Sequence, residues 1–470
     1  MQFQVEVVVK DEAGQEMRRT VVMDKYLGQE NIPICGLGLT ITDSKKLLGM
    51  LQQELIETEV QAISKKYMQQ CLRCTAALKR KDVRFIDYRT LYGKYRVENE
   101  RFFTCDCCKA PGKKTFSFFA DIVSTQTHPE LAYLQARWVS LIPYGQSLRL
   151  LEDVLPIEGA ISLTNMKVKV PQIGQRLEAE RATRVADVQP PEGTATNAAP
   201  EEASVLPSIN VGVDAGYVRS NAAKDTGSRR FGVIAVKTLE TPGRCHAYVQ
   251  TQVDDGSQRI AHFIEQGKEL PPPSVTFFTD GGADIKAATS LSGQASRRIL
   301  DWFHLAMYFQ IVLQIATPLK RWRYNEKLTI FEEIEHIKWK LWQGQYKGAR
   351  ERLWLLATWI GLHPSTKTKD KLVCRLFDLF RYVEDNSEYL VHYSRRYQQG
   401  LPISSAMAES VVNQVISRRF VKKQQMRWSP ESAHQLLQVR TSVMNDELAA
   451  HFKRWHPGFA INDPFYARAA

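Results

Sequence analysis

The sequence predicts a multidomain protein of mixed α+β and α/β class, with small modules first and then a strand-rich half interrupted by helices. Three observations carry that expectation. Five of the eight cysteines fall in one window: Cys71, Cys74, Cys105, Cys107 and Cys108. The stretch from Ala186 to Pro207 (ADVQPPEGTATNAAPEEASVLP) has no aromatic residue and no apolar periodicity, which is the composition of a linker. Beyond it, two apolar runs end in aspartate, at Asp214 and Asp280, with strand and helix patterns between them.

Composition bounds the function. A length of 470 residues and 53.7 kDa implies two to four domains at about 100–200 residues each. With 44% hydrophobic and 24% charged residues, the chain is too apolar to be disordered. No apolar run approaches the ~18 residues of a membrane span, and the strongest candidate, Leu353 to Leu362 (LWLLATWIGL), reads as a buried helix segment. The N-terminal MQFQVEVVVK alternates polar and apolar residues and lacks the apolar core of a secretion signal. A cytoplasmic protein without a membrane partner is therefore expected. The 63 Lys+Arg exceed the 51 Asp+Glu by 12, and the pI is about 9.2. That excess points to nucleic acid, although a merely basic enzyme would share it.

Residues 1–68 read as a hairpin and a helix. Phe3, Val5, Val7 and Val9 alternate, Asp11 to Gly14 turns, and Thr20 to Met23 returns. Leu47, Leu48, Leu51, Leu55, Val60 and Ile63 then recur near helical spacing over 43–68, with Asp43 or Ser44 as cap. Residues 69–110 follow as a zinc-ribbon-like module. The Cys71-Leu-Arg-Cys74 pair can point two thiolates at one metal, and Cys105 with Cys108 (or Cys107) offers a second pair. Four thiolates around Zn²⁺ make a closed structural site whose metal supplies folding energy. Without the metal the same residues would be buried free thiols. Between the pairs, RFIDYRTLYGKYRVENERFF reads as strand–turn–strand around Gly93.

Residues 111–185 read as successive short helices: Pro129 to Trp138, Tyr144 to Leu155, Ser162 to Val170, and Gln172 to Arg181 with Pro171 as a start signal. Such a run suits a helix-turn-helix-like DNA-binding module and equally a plain helical one. The linker 186–207 is expected to mark the main domain boundary.

From 208 to 304 the order is strand (Ser208–Asp214), strand (Phe231–Lys237), strand (His246–Val253), helix (Ser257–Lys268), strand (Ser274–Asp280), helix (Ala283–Ser290) and a segment ending Asp301-Trp-Phe-His304. That is the element order of an RNase H-like domain, and it would set Asp214 and Asp280 side by side. Paired hard carboxylates hold Mg²⁺ or Mn²⁺, and two such ions can activate both oxygens of a phosphodiester displacement. Asp301 is an alternative second aspartate on spacing alone, but Asp280 ends the longer apolar run and precedes Gly281-Gly282. A third carboxylate is expected on a later helix. Glu409 is the candidate, with Asn413 one α-helical turn beyond, and Arg418, Arg419, Lys422, Lys423 and Arg427 follow with no acid among them. An exposed helical glutamate with a solvated basic tail is the plainer reading. Residues 305–400, rich in Trp and amphipathic patterns, read as an all-helical insertion, and 401–470 as the glutamate helix and a basic C-terminal part.

These blocks carry a resemblance. VGVDAG, FFTDGGADIK, RRILDWFHLAM and AESVVNQVISRRFVKKQQMRWS resemble the blocks of bacterial insertion-sequence transposases of the DDE class, specifically the ISKra-type group. Asp301-x-x-His304 resembles the [Cys/Asp]-x-x-His signature of the wider hAT and Mutator-like superfamilies. The CxxC…CxC pattern, THPELAYLQARWVSLIPYGQSLRLLEDVLP and Ile173-Gly-Gln are similar to that group's zinc- and DNA-binding region. The likeness runs from about residue 65 to 440, and residues 1–40 fall outside it. It implies Asp214, Asp280 and Glu409 as the catalytic metal triad and Asp301 with His304 as a supporting pair; at His304 a neutral histidine bonded to Asp301 is favoured over a direct ligand or proton donor. The basic run Arg418, Arg419, Lys422, Lys423 and Arg427 would hold the DNA backbone, and the resemblance implies that the insertion is one that such enzymes place before the glutamate. The expected function is DNA transposition: metal-dependent strand cleavage and strand transfer at transposon ends by a homo-oligomer on DNA. Two alternatives stand beside it. One is a non-catalytic, zinc-containing, sequence-specific DNA-binding remnant, and the other an RNase H-like nuclease that cuts without joining.

Overall fold

The computed structural model describes residues 2–26, 38–67, 71, 74, 76–105, 107, 114–117, 119, 125–187, 208–221, 229–240, 243–266, 274–290, 296–404, 412–420 and 426–460. It is a mixed α+β structure with a five-stranded mixed sheet. Two compact units divide the chain, one formed by 1–173 with 446–470 and the other by 174–445. The linker 186–207 expected to hold the boundary lies almost wholly outside the described residues. The division falls earlier, at 173/174, and the last residues return to the first unit.

In the first unit, β1 (Gln2–Lys10) and β2 (Glu16–Tyr26) form an antiparallel hairpin. Its turn is set by Gly14 at φ +80° and by the Asp11 carboxylate, which accepts from the N–H of Ala13 (3.0 Å) and Gln15 (2.8 Å). Helix α1 (Ile41–Tyr67) is capped earlier than expected. The Thr40 hydroxyl accepts from Asp43 N–H (3.0 Å) while the Asp43 carboxylate accepts from Thr40 N–H (3.1 Å), so Asp43 closes a reciprocal cap rather than opening one. Strands β3 (Arg80–Thr90) and β4 (Gly93–Phe103) pair antiparallel around Gly93, and β5 (Thr115–Phe116) adds a third short strand. Ile56 and Val60 of α1 pack on Val97, Ile86, Tyr88, Tyr95 and Phe119, and the Tyr95 hydroxyl donates to Gly49 O (2.9 Å). Helices α2 (Pro129–Leu141) and α3 (Tyr144–Val154) follow.

Two short helices were expected over 162–181. One helix, α4 (Leu163–Asp187), is found, with Pro171 inside it. The reason is positional: a proline favours a helix start because its missing N–H is not needed there, yet it can also be carried within a helix at the loss of one hydrogen bond.

The second unit is built on a sheet of strand order β10-β9-β6-β7-β8, from β6 (Ser208–Arg219), β7 (Arg230–Thr238), β8 (Cys245–Val249), β9 (Ser274–Thr279) and β10 (Ser296–Leu300). Strands β6, β9 and β10 run parallel, while β7 is antiparallel to both of its neighbours. Parallel strands need crossovers, here α5 (Gly256–Glu265) and α6 (Ala283–Ala288). Ile260, Phe263, Ile264, Ile285 and Ala288 from those helices pack with Val211, Val213, Ile234, Val236 and Phe277 in one core. A second, larger core joins Phe278 and Ile299 to a helical body made of α7 (Trp302–Ala316), α8 (Ile330–Trp342), α9 (Tyr346–Gly361), α10 (Lys367–Asp385) and α11 (Tyr393–Gln398). A six-residue π-helical turn, Val412–Ser417, then runs into a short α-turn at Arg418–Phe420. Helix α12 (Pro430–Met444) packs on β8, where Gln438 Nε2 donates to Ala247 O (3.1 Å). Gly174 is needed for a close approach in this unit, because a β-carbon there would run into the Gln435 backbone of α12. Helix α13 (Leu448–Trp455) packs on α2 in the first unit through Tyr133 against Phe452, with ring centroids 5.5 Å apart. Among the described residues no helix is long and apolar enough to cross a membrane.

Candidate functional site

The β3–β4 hairpin decides where the thiols meet. Its register pairs Arg80 with Phe102 at the open end, far from the turn at Gly93, so the residues just before β3 and just after β4 arrive together. Cys71 N–H donates to Ala76 O (2.8 Å), and Phe103 N–H to Lys79 O (3.0 Å), which fixes both approaches. The sulfurs of Cys71, Cys74, Cys105 and Cys107 all lie within 4.8 Å of one another. The Cys71–Cys107, Cys74–Cys105 and Cys105–Cys107 separations are 3.4, 3.7 and 3.3 Å. A disulfide needs ~2.05 Å, whereas a tetrahedron with Zn–S bonds of ~2.3 Å has edges near 3.8 Å. The donor set and its spacing thus fit a soft, tetrahedral metal such as zinc. Of the two choices for the fourth ligand, the described cluster contains Cys107, and Cys108 lies outside the described residues. Cys71 is buried and Cys74 and Cys107 are exposed, so such an ion would sit at the unit's surface. It would tie together the segments just before β3 and just after β4.

In the second unit one row of the sheet gathers the acidic residues. Val213 of β6 is paired with Thr279 of β9, and Thr279 with Leu300 of β10. Asp214 comes next within β6, which runs on to Arg219 instead of ending at the aspartate as expected, because it stays paired with β7 there. Asp280 and Asp301 come next just past the ends of β9 and β10, and the three strands lie about 4.8 Å apart. Their environments differ. Asp301 is fully buried and caps α7, its carboxylate accepting from Phe303 N–H (2.8 Å) while its own N–H donates to Thr279 O (2.9 Å). Asp214 is 7% exposed and Oδ1 accepts from Ala215 N–H (2.7 Å). Asp280 is half-buried, and Oδ1 accepts from Gly282 N–H (2.9 Å). Among the described residues, only the four thiols form a group of three or more ligand atoms within 4.8 Å.

The Asp280 turn is braced by the helical body. The Tyr382 hydroxyl of α10 donates to Asp280 O (2.8 Å), and Tyr382 stacks on Tyr308 of α7 at 4.5 Å. Burial, with the negative charges of Asp280 and Asp301 nearby, holds the Tyr382 phenol well above its ordinary range, so it stays a proton donor. Gly281 has φ +78°, and a β-carbon there would collide with the Asn386 amide. Asn386 in turn donates to Tyr382 O (2.9 Å), and Lys286 Nζ to Asp385 O (3.0 Å). These bracing residues carry no motif and stand about a hundred positions downstream of the turn, so no local pattern announces them.

The remaining sequence-predicted residues separate. Glu409, Lys422 and Lys423 lie outside the described residues. His304 is half-buried and edge-on to Phe303 (6.0 Å). Asn413 is exposed and belongs to the π-turn, where α-helical spacing does not apply. Arg418 and Arg427 are exposed. Arg419 departs from the expected backbone-contacting role. It is fully buried with its guanidinium 5.1 Å from the centre of the Trp428 ring, because Trp428 is hydrogen-bonded beside Arg219 and covers it.

A buried polar network elsewhere in this unit also has no sequence signature. Glu178 of α4 takes both Arg259 guanidinium nitrogens (Nη2–Oε2 2.7 Å) and lies 3.6 Å from His434 Nε2. Arg259 also donates to His246 Nε2 (3.0 Å) and Gln438 Oε1 (3.0 Å). Burial raises the Glu178 pKa, but the Arg259 and His434 hydrogen bonds and the Arg259 and Arg181 charges outweigh it and hold the carboxyl well below its usual range. Burial, then the Arg181 and Arg259 charges, push His246 well below its usual value.

Compared with family models and with curated proteins, the chain matches none.

Proposed function

We propose that the chain is a DNA transposase of the DDE type, carrying out metal-dependent strand cleavage and strand transfer at the ends of an insertion sequence. The observation that carries this reading is the Val213–Thr279–Leu300 row, which sets Asp214 within β6 beside Asp280 and Asp301 just past the ends of the adjacent parallel strands β9 and β10. Asp301 is fully buried beneath the start of α7, whereas Asp214 and Asp280 keep some exposure, so Asp214 and Asp280 are the pair offered to metal, with Glu409 as the third carboxylate. The sheet, with β6 central between parallel β9 and antiparallel β7, supports an RNase H-like core. Further support comes from the π-turn: Val412, three residues beyond Glu409 in sequence, lies against Gly216, two residues beyond Asp214.

Hard carboxylate donors fit Mg²⁺ or Mn²⁺. When bound, such ions would supply charge neutralisation at the scissile phosphate and a lowered pKa for attacking water. The protein's own residues do the rest. Tyr382 and the Gly281 turn hold the Asp280 backbone against drift, and Asp301 fixes the start of α7 beside it. Arg418 and Arg427, with Lys422 and Lys423, would meet phosphate oxygens, and end recognition would belong to the first unit. Zinc at Cys71, Cys74, Cys105 and Cys107 is structural in this reading.

The reading predicts that Asp280→Asn abolishes Mg²⁺-dependent strand transfer between plasmids while leaving the melting temperature and zinc content as they were. Retained strand transfer would overturn it. A second reading is favoured by one observation, that among the described residues the thiolates alone converge as a metal-ligating group: a zinc-containing DNA-binding protein without catalysis. It requires that wild type and Asp280→Asn bind transposon-end DNA equally and that neither cuts.

A further inference from the structure

Residues 412–417 are π-helical. A π-turn is rare because its wider i→i+5 pattern disrupts the regular ladder, and it is commonly found at functional sites. Here its unusual carbonyls have a dedicated partner. Arg440 of α12 is 4% exposed, and its guanidinium donates to Val415 O (Nε, 2.9 Å) and to Gln414 O (Nη2). Burial is the largest influence on this group and pushes its pKa down to about 10, with Arg418 adding to it against Cys245; it remains a cation at neutral pH. A buried cation is costly unless its donors are used, and here they are aimed at the turn.

The opposite side of the turn is clamped by β6. A β-carbon on Gly216 would stand 2.7 Å from Ile416 Cδ1 and 3.4 Å from Val412 Cγ1, so a side chain there would have to push the Ile416 end group aside and loosen the seat of the turn. Val415 and Ile416 are accordingly buried. Gly216 follows Asp214 by two residues on the same strand. The turn is thus gripped between Arg440 and the strand that carries Asp214.

The geometry points to Arg440 as a positioning residue: it fixes the π register of Val412–Ser417 against β6 and so sets the backbone that flanks Asp214. This rests on the transposase reading for its catalytic consequence, but not for its structural one. In an α register the side chains of Val412–Ser417 would be re-phased by about 100°, so the register decides which of them face β6.

The test uses full-length protein and two readouts. Amide exchange over 412–417 is compared in wild type, Arg440→Leu, Arg440→Lys and Gly216→Ala, with plasmid nicking in Mg²⁺ measured alongside. Exchange in the turn should rise on the order of tenfold in Arg440→Leu and Gly216→Ala, while β9 amides stay protected. Lysine, which keeps the charge but replaces the two-nitrogen fork with a single Nζ, should restore part of the protection. Nicking kcat should fall about 100-fold in Arg440→Leu with KM for DNA unchanged, as expected when a site is mispositioned rather than unbound. Unchanged exchange in Arg440→Leu overturns the inference, and so does faster exchange with unchanged kcat. If Arg440→Leu does not fold, Gly216→Ala decides by the same criteria. A wild type that never nicks DNA would count against the transposase reading, and the exchange measurement alone would then decide for or against Arg440.

Discussion

Single residues show why composition is a poor guide to role. Arg419 sits in a basic run that reads as a DNA-contacting face, yet it is fully buried against Trp428. Its burial depends on Trp428 hydrogen-bonding alongside the end of β6, a long-range contact that no local pattern encodes. The cysteines were more legible. A CxxC pair and a second pair flanking a strand–turn–strand were enough to place the thiolates together, because antiparallel pairing brings the ends of a hairpin to one place. The choice between Cys107 and Cys108 was not legible, since adjacent residues offer equal spacing. The cluster predicts that Cys107→Ser lowers zinc stoichiometry, measured by mass spectrometry under native conditions, toward zero, whereas Cys108→Ser keeps about one ion per chain. Equal loss in both would contradict the ligand set. At Gly281, where φ is +78° and the Asn386 amide closes the space, alanine should destabilise the fold. A loss of roughly 1–3 kcal/mol is expected, the usual range for strained or overpacked substitutions, read as a lower denaturant midpoint. An unchanged midpoint would mean the turn yields easily.

At the scale of elements, strands and helices were read largely where they stand, because alternation and helical spacing are local properties. Ile330–Trp342 is a helix opened by the Thr329/Glu332 capping box, and the strand before Asp280 lies where its apolar run places it, whereas β6 runs past Asp214 to Arg219. The failure at α4 has a plain cause: Pro171 signals a start equally well when it sits inside a longer helix. What holds the end of that helix is the Glu178–Arg259–His246–His434 network, assembled from α4, α5, β8 and α12. Its titration has a definite sign. With His246 depressed below its usual 6.5, the unfolded chain binds the proton first, so stability is full above about pH 6.5 and declines as pH falls below it. Glu178 is likewise depressed from 4.5, so its contribution is present above about pH 4.5 and fades as pH drops through its lower folded value. Stability measured by urea unfolding should therefore decrease from pH 7 to pH 4, and Glu178→Gln should flatten the acidic part of that slope. A pH-independent midpoint would show the network to be uncoupled from folding.

Across the whole molecule, the sequence order of elements was legible and the division into units was not. A low-complexity linker is an obvious place to cut a chain, but compactness depends on contacts, and these divide the chain at 173/174 and return residues 446–470 to the first unit. The net charge of +12 belongs at this scale as well. If the exposed cations Arg418 and Arg427 meet DNA, affinity should fall steeply with salt, and Arg427→Ala should weaken binding about equally for all sequences while reducing the salt slope by about one. An unaltered slope would place the DNA elsewhere. The central claim is narrower: the aspartates aligned by the Val213–Thr279–Leu300 row hold the ions that cleave DNA. Its most direct measurement is relaxation of supercoiled plasmid in Mg²⁺ by the wild type, Asp214→Asn and Asp280→Asn, with EDTA controls. The account expects wild-type cleavage that EDTA abolishes and that both substitutions reduce at least about 1,000-fold without lowering DNA affinity. Cleavage retained by either variant, or none by the wild type, would contradict it.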